Sequence, residues 1–185
     1  QRLSRGLGDV YKRQDKGLRT IENALMDEIE VSNDRVAMFE ALKHLIVGGN
    51  VLLYLTDKGL KVYPLEKFVS KRDEVGNLLE IITKESVNPQ ALPLEFLNQI
   101  KKKENYDEKT MEGDLDIYTY IKRVNDDHIW YQECKGEKIP GTDGRSKIDV
   151  SPWIGPIRFV RIDGEDYGRG YVEEYRGDLI SLESL

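Results

Sequence analysis

At Gly48 and Gly49 the spacing of apolar residues changes from the period of a helix to that of a β-strand. Over residues 18–47, apolar side chains recur every three or four positions, which is typical of an amphipathic helix. Residues 50–56 then read NVLLYLT, a β-prone run that is too short for a helix. A long helical segment that leads directly into strands predicts a domain of the α+β class.

The helical stripe is interrupted at residues 32–34, where a capping residue could start a second helix. We therefore expect one long N-terminal helix or a helix pair, ended by the two glycines. The second half is the more apolar, so it should be the more buried. The stripe consists of Leu18, Ile21, Leu25, Ile29, Val36, Phe39, Leu42, Leu45 and Ile46.

Antiparallel hairpins are expected after the helices, because pairs of strand-like runs are separated by short polar turns. A short helix should cover residues 93–103, the polar residues 104–113 should be mobile, and the last hairpin should be half buried at most. The paired runs are residues 50–56 with 60–65, 68–73 with 78–86, and 114–124 with 128–134.

The remaining residues predict a loop, a strand and a helix. Residues 136–155 contain repeated Gly and Pro and should form the loop, and residues 156–163 should form the last strand. A helix is expected from residue 171 onward. Just before and within this helix, tyrosines recur at every fourth position, as Tyr167, Tyr171 and Tyr175, and Leu179 continues the same line. Such a stripe usually packs in a core, but it could also face another subunit.

The charge balance restricts the possible partners. There are 28 Lys and Arg residues against 34 Asp and Glu, which gives a net charge of -6. The chain as a whole is therefore not a general polyanion binder, and any DNA contact would have to be local. No apolar run approaches the roughly 18 residues that a membrane span needs. A single cysteine, Cys134, excludes a disulfide framework.

The sequence predicts no catalytic residue, no metal site and no cofactor. His44 and His128 lie in different segments, and with Cys134 they supply too few convergent ligands for zinc or iron. Residues 164–170, GEDYGRG, precede a helix as phosphate loops do. They lack the Walker lysine and the dinucleotide spacing, and their acidic residues would repel phosphate.

The first fourteen residues, QRLSRGLGDVYKRQ, resemble translated adapter sequence. We interpret residues 1–14 as an artefact or a disordered segment and exclude them from functional reasoning. The missing initiator Met and the apolar stripe that still runs at the last residue suggest a fragment of a longer gene product.

Three segments resemble the head-to-tail connector, or portal protein, family of short-tailed phages. The string YGRGYVEEYRGDL within the last of them is the most specific, and the likeness covers nearly all of residues 15–185. The segments are residues 35–55 (RVAMFEALKHLIVGGNVLLYL), 62–85 (VYPLEKFVSKRDEVGNLLEIITKE) and 156–185 (PIRFVRIDGEDYGRGYVEEYRGDLISLESL).

This resemblance implies a non-catalytic subunit of a dodecameric ring at one capsid vertex, which joins head to tail. Double-stranded DNA would pass through the ring during packaging and ejection without sequence-specific binding. The implied partners are eleven further copies, the terminase large subunit, the scaffold protein, the major capsid protein and a tail adaptor. The subunit would be assembled in the host cytoplasm and would reside in the virion, with no membrane contact.

By the same resemblance, residues 15–170 would form a wing-like α+β region, and residues 171–185 would begin a stem helix. Subunit contacts are expected along the first helix and this last helix. The candidate interface or channel-helix residues are Val36, Phe39, Tyr167, Tyr171, Tyr175 and Leu179. The main alternative is a small non-catalytic phage structural or adaptor module; a third possibility is an enzyme whose catalytic part was lost with the truncation.

Overall fold

The computed structural model describes residues 2–104 and 113–184. Over these residues the chain is an α+β domain, as predicted. Its helices are α1 (Arg2–Val31), α2 (Asp34–Gly48), α3 (Leu94–Glu104), α4 (Tyr171–Glu174) and α5 (Arg176–Glu183). Its strands are β1 (Asn50–Thr56), β2 (Gly59–Pro64), β3 (Phe68–Arg72), β4 (Leu78–Val87), β5 (Leu115–Val124), β6 (Asp127–Cys134), β7 (Glu137–Lys138), β8 (Gly144–Lys147) and β9 (Trp153–Arg158).

The described strands form two antiparallel sheets. One has the order β2-β1-β9, and the other has the order β3-β4-β5-β6-β7, with β8 also paired to β6. The three predicted hairpins are confirmed as β1–β2, β3–β4 and β5–β6. The predicted mobile linker falls mostly on residues 105–112, which lie outside the described residues.

One face of the larger sheet carries the core, and two separate elements cover it. The smaller sheet covers one part, where Leu52 and Trp153 pack with Ile81 and Ile121. Helix α3 covers the other part through Phe96 and its neighbours.

The prediction that β5 is half buried is confirmed, because one face of the strand is buried and the residues on the other face are partly or fully exposed. Leu115, Ile117, Thr119 and Ile121 alternate along β5 and are each less than 8% exposed. The covering elements come from distant parts of the sequence, so the local alternation did not reveal them.

The predicted helix pair is confirmed, with α1 ending at Val31 and α2 beginning at Asp34. Helix α2 packs on the β1–β2 hairpin through Ala41 and Leu45. The expectation that the second half is the more buried is confirmed, since Ala41 is buried in α2 whereas residues 14–31 of α1 are all exposed. Helix α1 begins at Arg2, and the assignment of residues 1–14 to an artefact stays a prediction.

The loop predicted over residues 136–155 contains β7, β8 and a short 3-10 turn. Strand β8 is held by contacts to β6 that no local pattern shows. Gly144 lies against the indole of Trp130, where a side chain would collide with the ring. Lys147 Nζ lies 2.8 Å from Asp127 Oδ1, and Arg145 binds the same carboxylate.

The last strand and the last helix also differ from prediction. Strand β9 ends at Arg158, and beyond it Val160 forms only an isolated bridge with Arg169. The strand starts early because Trp153 stacks on Tyr54, with ring centroids 4.0 Å apart. The expected single helix is broken at Tyr175, where φ is -105° and ψ is 17°.

We predict that Leu52→Ala lowers the free energy of unfolding by about 2–5 kcal/mol, because Leu52 is fully buried between the sheets. Leu55→Ala is the matched control on the same strand, since Leu55 is 51% exposed. Urea denaturation should show a loss below about 1 kcal/mol for the control. Equal losses for the two variants would contradict this arrangement of the core.

Candidate assembly site

The segment between β9 and α4 is fixed to the rest of the domain by the side chain of Asn50. This residue opens β1 and is 1% exposed. Its Oδ1 accepts a hydrogen bond from Gly168 N at 2.7 Å, and its Nδ2 donates to Gly168 O at 2.7 Å. Nδ2 also lies 3.1 Å from Gly48 O. The amide therefore pairs with the Gly168 main chain as a neighbouring strand would, and it ties that segment to the end of α2.

Glycines allow this segment to lie directly against the C-terminal end of α2. A Cβ on Gly170 would collide with the carbonyl oxygen of Val47, and a Cβ on Gly49 would collide with the main chain of Arg169 and Gly170. Gly49 also has a φ of +72°, which favours glycine. Gly170, one of the glycines that suggested a phosphate loop, is thus required here for close packing of two main-chain segments.

Two side chains of the same segment bind the edge strand β3. Tyr167 Oη accepts a hydrogen bond from Ser70 N at 3.0 Å, and Asp166 Oδ1 accepts one from Arg72 N at 2.6 Å. The Arg72 guanidinium donates to Asp166 O at 3.1 Å and to Pro156 O at 2.7 Å. We call residues 166–170, with Asn50 and Arg72, the junction. It joins both sheets and α2 to the base of α4.

The line formed by Tyr167, Tyr171, Tyr175 and Leu179 has a buried part at the junction and an exposed part beyond it. Tyr167 is half buried and packs on the core between the sheets. Tyr171 packs edge-on against Phe159 with ring centroids 4.9 Å apart, yet it remains 48% exposed. Tyr175 is 53% exposed and Leu179 is 50% exposed. The exposed part of the line, Tyr171, Tyr175, Leu179 and Leu182, is called the α5 surface below.

A second uncovered apolar surface surrounds α2. Val36 is 67% exposed and Phe39 is 62% exposed. Beside Phe39, a groove of about 510 Å3 runs between α1, α2 and the β1–β2 hairpin, lined mainly by apolar side chains. A helix that is apolar on several sides is normally covered on several sides. The α2 surface comprises Ile29, Val36, Met38, Phe39, Leu42, Leu55 and Leu60.

The interface role of the candidate residues stays a prediction, and the structure shows only where they lie. The candidate residues Val36, Phe39, Tyr171, Tyr175 and Leu179 all lie on the two uncovered surfaces. The junction was missed, although Asn50 at the start of an apolar strand is a visible signal of a buried polar contact. Its partner, Gly168, is 118 residues away and could not be identified from spacing.

The histidines and the cysteine lie apart, as expected. His44 lies beside Glu40 on α2, whereas His128 Nδ1 lies 2.8 Å from Ser151 Oγ, and Cys134 is buried on β6. Burial, followed by the charge of Arg123, lowers the pKa of His128. Among the described side chains of residues 14–100 and 113–184, His, Cys, Asp and Glu form no metal-binding group. The helices that the structure describes are too short or too polar to cross a bilayer.

The closed junction and the two uncovered helical surfaces define a structural α+β domain, of the kind that acts through contacts with other chains. The sequence profile of the family described as bacteriophage head to tail connecting protein matches residues 3–185. The chain belongs to this family, which confirms the resemblance noted in the sequence.

Several curated portal proteins are similar to the chain. That of Enterobacteria phage T3 is 41% identical over 184 residues, which is 96% of this chain and 34% of that protein. That of Escherichia phage T7 is 40% identical over 185 residues, with the same coverage. That of Enterobacteria phage SP6 is 29% identical over 167 residues, which is 89% of this chain and 32% of that protein. The chain spans about a third of the length of these relatives.

We predict that Asn50→Asp destabilises the domain by about 3 kcal/mol near neutral pH, because a buried carboxylate would face two carbonyl oxygens. Burial should raise the pKa of the introduced carboxyl above its unfolded value. The loss is therefore smallest below about pH 4 and grows as the pH rises through the folded-state pKa. Denaturation at several pH values measures this.

The control for this variant is Asn88→Asp. Asn88 is exposed, and its Oδ1 accepts a hydrogen bond from Gln90 N at 2.9 Å, which a carboxylate can also accept. We expect a change below about 0.5 kcal/mol at every pH. A pH-independent loss for Asn50→Asp would contradict the paired geometry at Gly168.

We also predict that His128 makes the domain acid-sensitive. Because its pKa is lowered in the folded state, the unfolded chain takes up the proton first as the pH falls below about 6.5. The free energy of unfolding should fall between about pH 7 and pH 5, and His128→Gln should reduce this slope. An equal slope for His128→Gln and the parent chain would overturn the prediction.

Proposed function

We propose that the chain is part of a portal ring subunit at a capsid vertex, where double-stranded DNA enters during packaging and leaves during ejection. The observation that carries this proposal is the 40–41% identity to two portal proteins over 96% of the chain. In the proposal, twelve copies form the ring. The terminase large subunit, scaffold protein, major capsid protein and tail adaptor bind it, and it resides in the virion after assembly in the host cytoplasm.

The two uncovered surfaces support a ring. A closed ring requires a heterologous interface, in which one face of a subunit meets a different face of the next. The α2 surface and the α5 surface are two such faces on one chain, and both expose apolar side chains that water does not favour. We assign Val36 and Phe39 to one side of the interface and Tyr175 and Leu179 to the other.

The junction supports the proposed division of the subunit. In this division, residues 15–170 form the wing-like region, and residues 171–185 begin a stem helix. The contacts of Asn50, Gly168 and Gly170 fix where α4 leaves the sheets. A fixed departure point gives each copy in a ring the same starting position for its emerging helix.

The charge of the chain suits a conduit. Every Lys or Arg that binds a phosphate releases counterions and strengthens attachment to DNA. With a net charge of -6, the chain lacks the general basic surface that would hold DNA in place. The proposed subunit shapes the channel and performs no chemistry on the DNA.

We predict that Val36→Lys and Tyr175→Lys each reduce the ring fraction of the full-length gene product by about tenfold or more, since a buried unpaired charge costs several kcal/mol. Electron microscopy and light scattering measure the ring fraction. Val150→Lys is the control, because Val150 is 74% exposed and lies in the 3-10 turn before β9.

Other outcomes would separate the remaining interpretations. Rings that form normally with both substitutions would contradict the assigned interface but not the portal function. A full-length product that stays monomeric would contradict the ring and favour an adaptor module. Nucleotide turnover by the purified chain would favour an enzyme.

A further inference from the structure

Three arginines from distant parts of the chain converge on the turn between β3 and β4. They are Arg72 at the end of β3, Arg158 at the end of β9, and Arg161 just beyond it. A Cβ added to Gly76 in that turn would lie 2.9 Å from Arg161 Nη2 and 3.3 Å from Arg158 Nη2. Two guanidinium groups therefore approach the same point above Gly76 from different chain positions.

Main-chain carbonyls hold these arginines in place. Arg158 Nη1 donates to Glu165 O at 2.9 Å, and Arg161 Nη2 donates to Val75 O at 2.9 Å. Arg72 donates to Gly76 O at 3.0 Å, which anchors the turn itself. Carbonyl acceptors orient a guanidinium without neutralising its charge, so the positive charges remain directed at the turn.

The neighbouring carboxylates are largely engaged elsewhere. Asp166 accepts from Arg72 N at 2.6 Å, Glu165 pairs with Arg169 at 3.0 Å, and Asp73 accepts from Asn77 N at 2.7 Å within its own turn. Asp163 lies 3.7 Å from Arg161 Nε, but its side chain is 96% exposed and is screened by water.

Arg158 has no ion-pair partner among residues 14–100 and 113–184. Burial and then the charge of Arg158 lower the pKa of Arg72; the carboxylate of Asp166 opposes this, and the charge of Arg161 adds a smaller lowering. That direction is the expected effect of like charges placed close together. The cluster is thus a local positive site on an acidic chain.

We propose that Arg158 and Arg161, positioned by Arg72, bind one phosphate group above Gly76. A carboxylate is planar and is satisfied by a single guanidinium fork, whereas a phosphate offers three or more oxygens to donors from several directions. Glycine in the turn lets both guanidinium groups pack against its main chain and so lie close to each other, because a Cβ there would collide with Arg161 and crowd Arg158.

The surroundings limit the site to a single phosphate. Asp163, Glu165 and Asp166 follow Arg161 closely in sequence, so no continuous basic track leads away from it. A lone contact of this kind binds weakly and without base specificity. The phosphate could belong to a DNA backbone or be a free ion, and the two sources share the same chemistry.

The test is a titration of the 185-residue chain with inorganic phosphate, at an ionic strength held constant with chloride. NMR signals of the arginine Nε–H groups report binding. We expect the Arg158 and Arg161 signals to shift and saturate, and Arg161→Gln to weaken binding about tenfold or more. Circular dichroism verifies that the variant is folded, which is expected because the Arg161 side chain is 56% exposed.

Arg19→Gln is the matched control, because Arg19 is an exposed arginine on α1 paired with Asp15 at 3.2 Å. It should bind phosphate as the parent chain does. Shifts that never saturate, or equal binding by the Arg161→Gln and parent chains, would overturn the proposal.

A second arm uses a short DNA duplex to identify the source of the phosphate. Weaker duplex binding by Arg161→Gln, but not by Arg19→Gln, supports a DNA phosphate. Unchanged duplex binding together with lost binding of inorganic phosphate supports a free phosphate ion.

Discussion

The buried amide of Asn50 determines how the C-terminal helices are attached to the sheets. It satisfies both main-chain groups of Gly168, which would otherwise be buried against α2 without partners. Because Gly49 and Gly170 allow the two main chains to approach closely, the amide can reach them. The packing of α2, the course of residues 166–170 and the starting point of α4 all depend on this contact.

Sequence periodicity predicted the elements that are built from local contacts. The helix pair, the three hairpins and the α+β class follow from apolar spacing and turn residues. The errors arise where distant residues decide the structure. Gly144 joins β8 to the sheet through Trp130, and Trp153 at the start of β9 stacks on Tyr54. The arginine cluster at Gly76 was invisible for the same reason, since Arg72 and Arg158 are far apart in sequence.

The exposed positions of the candidate interface residues could be predicted, because the sequence pattern itself shows more apolar residues than neighbouring elements can cover. Val36 and Tyr175 belong to stripes longer than any neighbouring element of the chain could cover. Sequence could not show that α2 would be covered mainly by the β1–β2 hairpin and, at its C-terminal end, by the junction.

The interruption of the helix at Tyr175 allows α5 to change its direction relative to α4. Helix α5 has eight residues, which is fewer than an isolated helix needs to be stable in water. Gly177 lies within it with open space around its Cα, so packing does not restrain its main chain. The junction therefore fixes where α4 begins, while the direction of α5 depends on the surface that it contacts. Small differences in the position of that surface can then be accommodated.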